Sequence, residues 1–395
     1  MTKAIAYLIL FISLTTPSAL ASRSRLESLG DSKNGSVFIN DDRNVFLNPA
    51  EINNYKDKLY LDLGSSFNSS DSSAFSKPQG GFTKQVDSFV YGIYVGKESD
   101  RTVNQIQNLN SNTVLGQGTF LFPAHALDLV MGGETLLGSE QAKWGVGAYY
   151  SSSSFKDVAV DKSSSAYGIR LGVDYREFAV FSKIELASNL TDTRPYPDYS
   201  NSLTGKLAVD VGATYKEKDA TYFAKYTTLN SSLTSGTLSP IGSGVLDFNT
   251  TAYTLGVGWE NSRNKIVTFF TRLQFEYQKD STKRNGVESQ AVYYNVPLIL
   301  SAETAVSKML TVRGAISHSL YGKTKTAANQ NSFTNETAVA VGLGLNLGEL
   351  TVDALIGNSL AVSSGGSEMG VYSQAGDRFG FGDNMCTRIS LVYGF

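Results

Sequence analysis

The chain has 395 residues and a formal net charge of -2, with both signs dispersed along it. That excludes the basic face a nucleic-acid partner would need, and the single cysteine, Cys386, excludes an internal disulfide framework. With 37 Gly, 21 Tyr and 21 Phe against 8 Pro, and no helix-forming runs of Ala, Leu, Glu and Lys, the composition points to an all-β protein.

Residues 1–21 read as a secretory signal peptide. Lys3 charges the start, Ala4 to Leu14 is apolar, and Pro17-Ser18-Ala19-Leu20-Ala21 offers a small-x-small cleavage site before Ser22. Beyond Ser22 no apolar stretch is long enough for a membrane-spanning helix. Residues 22–56 lack strand periodicity and form a separate N-terminal unit ahead of residues 57–395.

From about Lys58 onward one unit repeats: a run of roughly ten residues alternating large apolar with small or polar, followed by a turn. In Thr250–Glu260 the large positions are Tyr253, Leu255, Val257 and Trp259, interleaved with Ala252, Thr254, Gly256 and Gly258. Similar runs pass through Tyr167–Tyr175, Leu207–Tyr215, Val267–Tyr277, Val339–Leu345 and Ile389–Phe395. A period of two gives a strand two different faces.

The large face is nearly free of charge, as lipid contact requires, because a charge at the bilayer midplane costs about 2–4 kcal/mol. Arg170, Lys183, Glu185, Asp210, Arg272, Glu276 and Arg388 fall on the small face, which makes them candidates for lining a lumen. A soluble sandwich would need an oversized core for so many strands, whereas closing the sheet in a membrane removes both the core and the free edges. The expected fold is an antiparallel up-and-down transmembrane β-barrel.

Short connections at Glu177, Glu217-Lys218, Asn261–Asn264, Lys308 and Leu347-Gly348 alternate with long ones at Ser188–Ser202, Asn230–Phe248, Ser281–Ala291, Gly322–Asn335 and Ser359–Met385. Outer-membrane barrels keep tight turns on the periplasmic side and long loops outside. Tyr393 and the terminal Phe395 resemble the signal such barrels show to the barrel-assembly machinery. Early in the chain the clear runs are Lys58–Phe67 and Val86–Lys97. Leaving Ala126–Gly133 out gives fourteen strands; counting it, with one more near Ser36–Phe46 or Thr113–Phe122, gives sixteen. Fourteen is the expectation and sixteen its alternative.

Gly30, Asp41-Asp42 and Asn48-Pro49-Ala50 follow one another in an order that resembles the N-terminal hatch of the long-chain fatty-acid outer-membrane transporter superfamily. The resemblance implies a fourteen-stranded barrel with its lumen closed by this segment. It thereby marks Asp41, Asp42, Asn48, Pro49 and Ala50 as hatch residues. Two departures stand out: Asp31–Ser36 replaces the family's Gly- and Ala-rich run, and the early loops lack a long amphipathic helix.

No catalytic constellation is legible. His318 shares the lipid-side parity of Ile316 and Leu320, and His125, read as part of a connection, has no Cys or His nearby to complete a metal site. No cofactor motif is present, and signs on the lumen face nearly balance. The reading is a non-enzymatic outer-membrane channel for passive diffusion of small solutes, hydrophobic ones among them. Its alternatives are a hatch-closed scaffold for a protein partner and a general porin. Outer-membrane lipid and lipopolysaccharide are the expected surroundings.

Overall fold

The computed structural model describes residues 22–32, 34–64, 78–97, 120–121, 124–194, 200–236, 244–263, 266–284, 286–326, 331–334, 337–358 and 388–395. Residues 1–21, expected as a signal peptide, lie outside them, as do Thr113–Thr119, Ser359–Met385 and Cys386.

Among the described residues, eighteen strand stretches form one antiparallel sheet. The first nine are β1 (Lys58–Gly64), β2 (Gln79–Val86), β3 (Phe89–Val95), β4 (Ala124–Leu137), β5 (Glu140–Asp157), β6 (Val160–Tyr175), β7 (Phe178–Thr193), β8 (Ser200–Gly205) and β9 (Ala208–Glu217). The others are β10 (Ala220–Ser235), β11 (Gly244–Arg263), β12 (Val267–Arg284), β13 (Val287–Ala305), β14 (Leu310–Lys325), β15 (Asn331–Thr334), β16 (Thr337–Leu347), β17 (Leu350–Asn358) and β18 (Arg388–Gly394). β1 pairs with both β2 and β18, so the sheet closes on itself. β8 and β9 both lie between β7 and β10, and β15 and β16 both pair with β14. Each pair is one interrupted strand, so eighteen stretches make a wall of sixteen.

Sixteen, not fourteen, is therefore the count, and two elements account for the difference. Ala124–Leu137 is a full strand, which places the His125 backbone within β4 rather than in a connection. The other is Gln79–Val86, which pairs with β1 and β3. Its Gly80 and Gly81 carry no side chains, so the alternation that betrays a strand is missing there. Ser36–Phe46, by contrast, holds a 3-10 turn and no strand.

Several expected loops are also strand. β7 runs to Thr193, β10 to Ser235 and β14 to Lys325, and β12 pairs with β13 as far as Arg284 opposite Val287. Above the membrane a strand has water outside and needs no apolar face, so its Ser-, Thr- and Asn-rich sequence reads as a loop. On the opposite rim, tight turns close the hairpins. Asp87, Arg176 and Lys218 take φ of 53°, 54° and 54°, and Gly138 and Gly348 occupy the same left-handed region. The chain end returns to this rim, where Phe395 N–H donates to the Asp57 carbonyl (3.1 Å).

The two faces separate as the alternation predicts. Leu59, Leu61, Ile93, Leu129, Val146, Leu171, Val180, Leu255, Phe275 and Ile389 are exposed on the outside, while Arg170, Asp128, Glu185, Asp353 and Arg313 are buried inside. A closed sheet with an apolar outer belt and an ionic interior belongs in an outer membrane. A bulge at Leu186 and the break at Lys206-Leu207 shift the alternation. Together they turn Leu190 and Leu203 inward, where they join Leu233, Leu246 and Phe120 in a buried apolar cluster.

Candidate functional site: the bore and the segment within it

Residues 22–56 lie inside the ring of strands as three short helical turns: α1 (Arg23–Ser28) and 3-10 turns at Asp42–Phe46 and Pro49–Asn54. The side chains of Ser22, Asp41 and Asn48 cap these turns, accepting from the N–H groups of Arg25, Arg43 and Ala50 respectively. Pro49 occupies the first position of its turn, where its missing donor costs nothing.

The segment touches opposite sides of the wall. At one side the Asn48-Pro49-Ala50 turn seats on β5 and β6. A Cβ on Gly172 would stand 1.9 Å from the Asn48 side-chain Oδ1, and one on Gly145 would stand 2.2 Å from the Pro49 carbonyl carbon, so glycine makes room for the Asn48 side chain at one position and for the turn's backbone at the other. Asn48 Nδ2 donates to Asp174 (2.5 Å), Asn53 to the Trp144 carbonyl (3.1 Å), and Lys143 Nζ to Asn54 (2.5 Å). Beneath them Val45, Phe46 and Ile52 pack with Val90, Tyr94 and Val130 of the wall.

At the other side α1 faces β14 and β16–β18. Ser22 donates to Asp353 (2.6 Å), Ser24 Oγ lies 2.8 Å from Ser390 Oγ, and Arg388 pairs with Glu27. Arg25 binds Glu303 through Nε and Nη2 (2.9 and 3.2 Å) and also reaches Asp41 (3.2 Å). Arg313 in turn bridges Glu303 and Asp353 (both 2.5 Å). Arg43 pairs with Asp62 of β1 (2.8 Å), and Arg272 of β12 with Asp31 (2.7 Å). Between the two sides, Leu26, Leu29 and Ile39 cluster with Phe270, and Phe38 meets that ring edge-on at 6.4 Å.

Burial sets the ionisation of the segment. It pushes the Asp41 carboxyl up to about 7 against the opposing pull of Arg25, and raises Asp42 well above the usual range, with Asp41 and Asp62 adding to the effect. Burial also moves Glu51 up to about 7, helped by Asp174. For Glu27 burial acts in the same direction, but the Arg388 and Arg23 charges outweigh it and hold the carboxyl below its usual value.

All seven candidate lumen residues face inward. Arg170 forms a two-pronged, fully buried pair with Asp128 (2.7 and 2.9 Å), its guanidinium 4.8 Å from the Tyr149 ring centre. Lys183 lies 5.5 Å from the same ring, and Glu185 accepts from the Tyr149 hydroxyl (3.3 Å). Asp210 is opposite Lys183 in the sheet register, and Glu276 accepts from Asn295 and Gln274. Of the seven, Arg272 and Arg388 form ion pairs with the segment. Arg25, Glu27, Asp31, Arg43, Glu303, Arg313 and Asp353 do much of the fastening, and no spacing in the sequence links partners so far apart. Tyr393 and Phe395 point outward at the rim, with Lys84 Nζ 5.0 Å from the Phe395 ring. His318 lies on the outer side, its Nδ1 2.8 Å from Thr337 Oγ1.

Beside the 3-10 turn at Asp42–Phe46 the segment and the wall leave a small, partly open recess, lined by Asp42, Phe46, Tyr60, Gln79 and Tyr94 among others. Asp42 Oδ2, Gln79 Oε1 and the Tyr94 hydroxyl are buried there without a hydrogen-bond partner among the described residues.

No family model matches the sequence, and no curated protein does. Among solved structures, a FadL homologue of Pseudomonas aeruginosa is similar at 12% identity, with a TM-score of 0.40 over 95% of this chain and 98% of that one. The monoaromatic hydrocarbon channel CymD is similar at 11% identity and a TM-score of 0.38, covering 95% and 98%. The toluene transporter TodX of P. putida follows at 10% and 0.37, covering 95% and 99%. The chain itself is a closed sixteen-stranded β-barrel of the outer-membrane type, with residues 22–56 held across its bore.

Proposed function

We propose that the protein is a passive channel of the outer membrane, closed at rest by residues 22–56 and opened to small solutes when that segment withdraws. The supporting observation is the bridge across the bore: Asn48-Pro49-Ala50 seats against β5 and β6 while Ser22, Ser24 and Glu27 fasten to β17 and β18. These fastenings are hydrogen bonds and ion pairs, which water can replace when the segment leaves. The inward apolar cluster around Leu190, Leu203 and Leu233 gives hydrophobic solutes a surface inside the bore. Asp41, Asp42, Asn48, Pro49 and Ala50 act in this reading as the closing element. Tyr393 and Phe395 present the assembly signal at the periplasmic rim.

The short Ser24–Ser390 approach provides a test. In a Ser24→Cys, Ser390→Cys, Cys386→Ser variant, oxidation fastens the segment to β18 and reduction frees it. Planar-bilayer current is expected to rise on reduction. Equal current in both states discards the gate; silence in both states, with a co-purifying partner, favours a permanently plugged scaffold. Uptake screening of a deletion strain then identifies the solute.

A further inference from the structure

Outward tyrosines mark a membrane boundary on β10–β13. Tyr226, Tyr253, Tyr277 and Tyr294 stand on one rung of the sheet, each opposite the next, with ring centres 5.1, 5.9 and 5.4 Å apart. Such aromatic rows sit at the headgroup level of transmembrane barrels. The same rung continues into Lys323 of β14, opposite Tyr294, and then Phe333 of β15, whose ring lies 5.6 Å from Lys323 Nζ. One outward step away from the tight-turn rim, the next rung carries Lys279 of β12, Val292 of β13 and Lys325 of β14, each opposite the next. Acidic neighbours are on the other face: Asp280 accepts from Thr250 and Gln278 inside the bore.

Standard sheet spacings put Lys279 and Lys325 about 10 Å apart at the backbone and Lys323 and Lys325 about 7 Å apart, so three flexible ammonium groups cover one small area. Several exposed cations elsewhere face a carboxylate: Lys84 with Asp57 (2.9 Å), Lys156 with Asp161 (3.3 Å), Arg176 with Glu140 (3.1 Å) and Lys206 with Asp247 (3.9 Å). No carboxylate occupies an outward position on the two lysine rungs of β11–β14. Two such cations directly above an aromatic row, and a third at its end, complement an anionic headgroup whose acyl chains lie against the belt below.

We propose that Lys279, Lys323 and Lys325 form a binding site for the phosphates of lipopolysaccharide in the outer leaflet. The leaflet follows from the rim assignment: the site lies on the side of the barrel away from the turns at Asp87, Arg176 and Lys218 and from Phe395. The proposal depends on the barrel's membrane orientation and is independent of whether the bore conducts.

The test uses the full-length mature protein, purified in detergent, stripped of lipid and titrated with purified lipopolysaccharide under native mass spectrometry. A triple K279Q/K323Q/K325Q variant is expected to bind on the order of a hundredfold more weakly, about fivefold per lysine. Single K279Q is expected to lose about fivefold and keeps the comparison possible should the triple variant fail to fold. Dephosphorylated lipopolysaccharide should bind wild type as weakly as native lipopolysaccharide binds the triple variant. A K216Q/K218Q control at the opposite rim should bind as wild type does. Unchanged affinity in both lysine variants overturns the proposal. So does phosphatidylglycerol binding as tightly as lipopolysaccharide, which would make the patch a general anionic-lipid surface.

Discussion

Arg25 of the N-terminal segment donates twice to Glu303 of β13, a residue 278 positions further along the chain. Glu303 also accepts from Arg313, which holds Asp353, which accepts from Ser22. The segment is thus tied at two points to one continuous line of wall charges. Breaking a buried pair by removing one partner typically costs about 3–5 kcal/mol, because the other charge is left uncompensated. Arg25→Ala is expected to loosen the segment and raise single-channel open time, while the barrel keeps its heat-modifiable mobility in gels. Unchanged current with intact mobility would show that this tie does not hold the gate.

Gly145 and Gly172 are places where a single methyl group tests the seat. Gly172→Ala puts a carbon in the space of Asn48 Oδ1, and Gly145→Ala puts one against the Pro49 carbonyl. Overpacking of this kind costs about 1–3 kcal/mol. Each variant should release the Asn48-Pro49-Ala50 turn, read as faster proteolysis between residues 40 and 56 in otherwise protease-resistant protein. Wild-type cleavage rates in both would count against the seat.

The carboxyls of the segment predict a pH dependence with a definite sign. Asp41 has a value of about 7 when docked, against 3.8 for the ordinary side chain, so docking favours its protonated form. Docking is then tightest in acid and weakens as pH rises from about 4 to about 7. Asp42 and Glu51, also raised, act in the same direction. Glu27 is shifted downward, so its clasp to Arg388 is lost only as pH falls below the usual carboxylate range. Channel current at pH 7.5 should therefore exceed that at pH 5, and Asp41→Asn should flatten the profile. A current that rises on acidification would contradict this account.

Lipid contact is tested on the outer face. Leu255 is 54% exposed between Tyr253 and Val257, on the apolar belt. Leu255→Arg, one rung inside the tyrosine row, should lower stability by about 1–3 kcal/mol, between the costs at the interface and at the bilayer midplane. Thr254→Arg points into the bore and should lose far less. Urea unfolding in lipid vesicles distinguishes them, and equal losses would place the belt wrongly.

The runs that the alternation exposed were those where lipid lies outside and small or ionic groups lie inside, as in Thr250–Glu260. The strand that escaped, Gln79–Val86, has two consecutive glycines in place of side chains. Strand ends escaped where both faces are polar, as beyond Ser188 and Asn230. Asn48-Pro49-Ala50 drew attention by resemblance, yet its fit depends on Gly145 and Gly172, which by themselves read only as small inward positions. Arg25, Glu27 and Arg43 gave no signal, because nothing in a single sequence distinguishes a charge tied to the wall from one facing water.

From the sequence alone came the two faces of each strand, the rim that carries the tight turns and the need for a closed sheet. These follow from local alternation and from the cost of placing charge in lipid. Only the tertiary structure decided the number of strands and the partners of each inward charge. Closure brings residues hundreds of positions apart to within 3 Å, and electrostatic pairing depends on that distance rather than on sequence order.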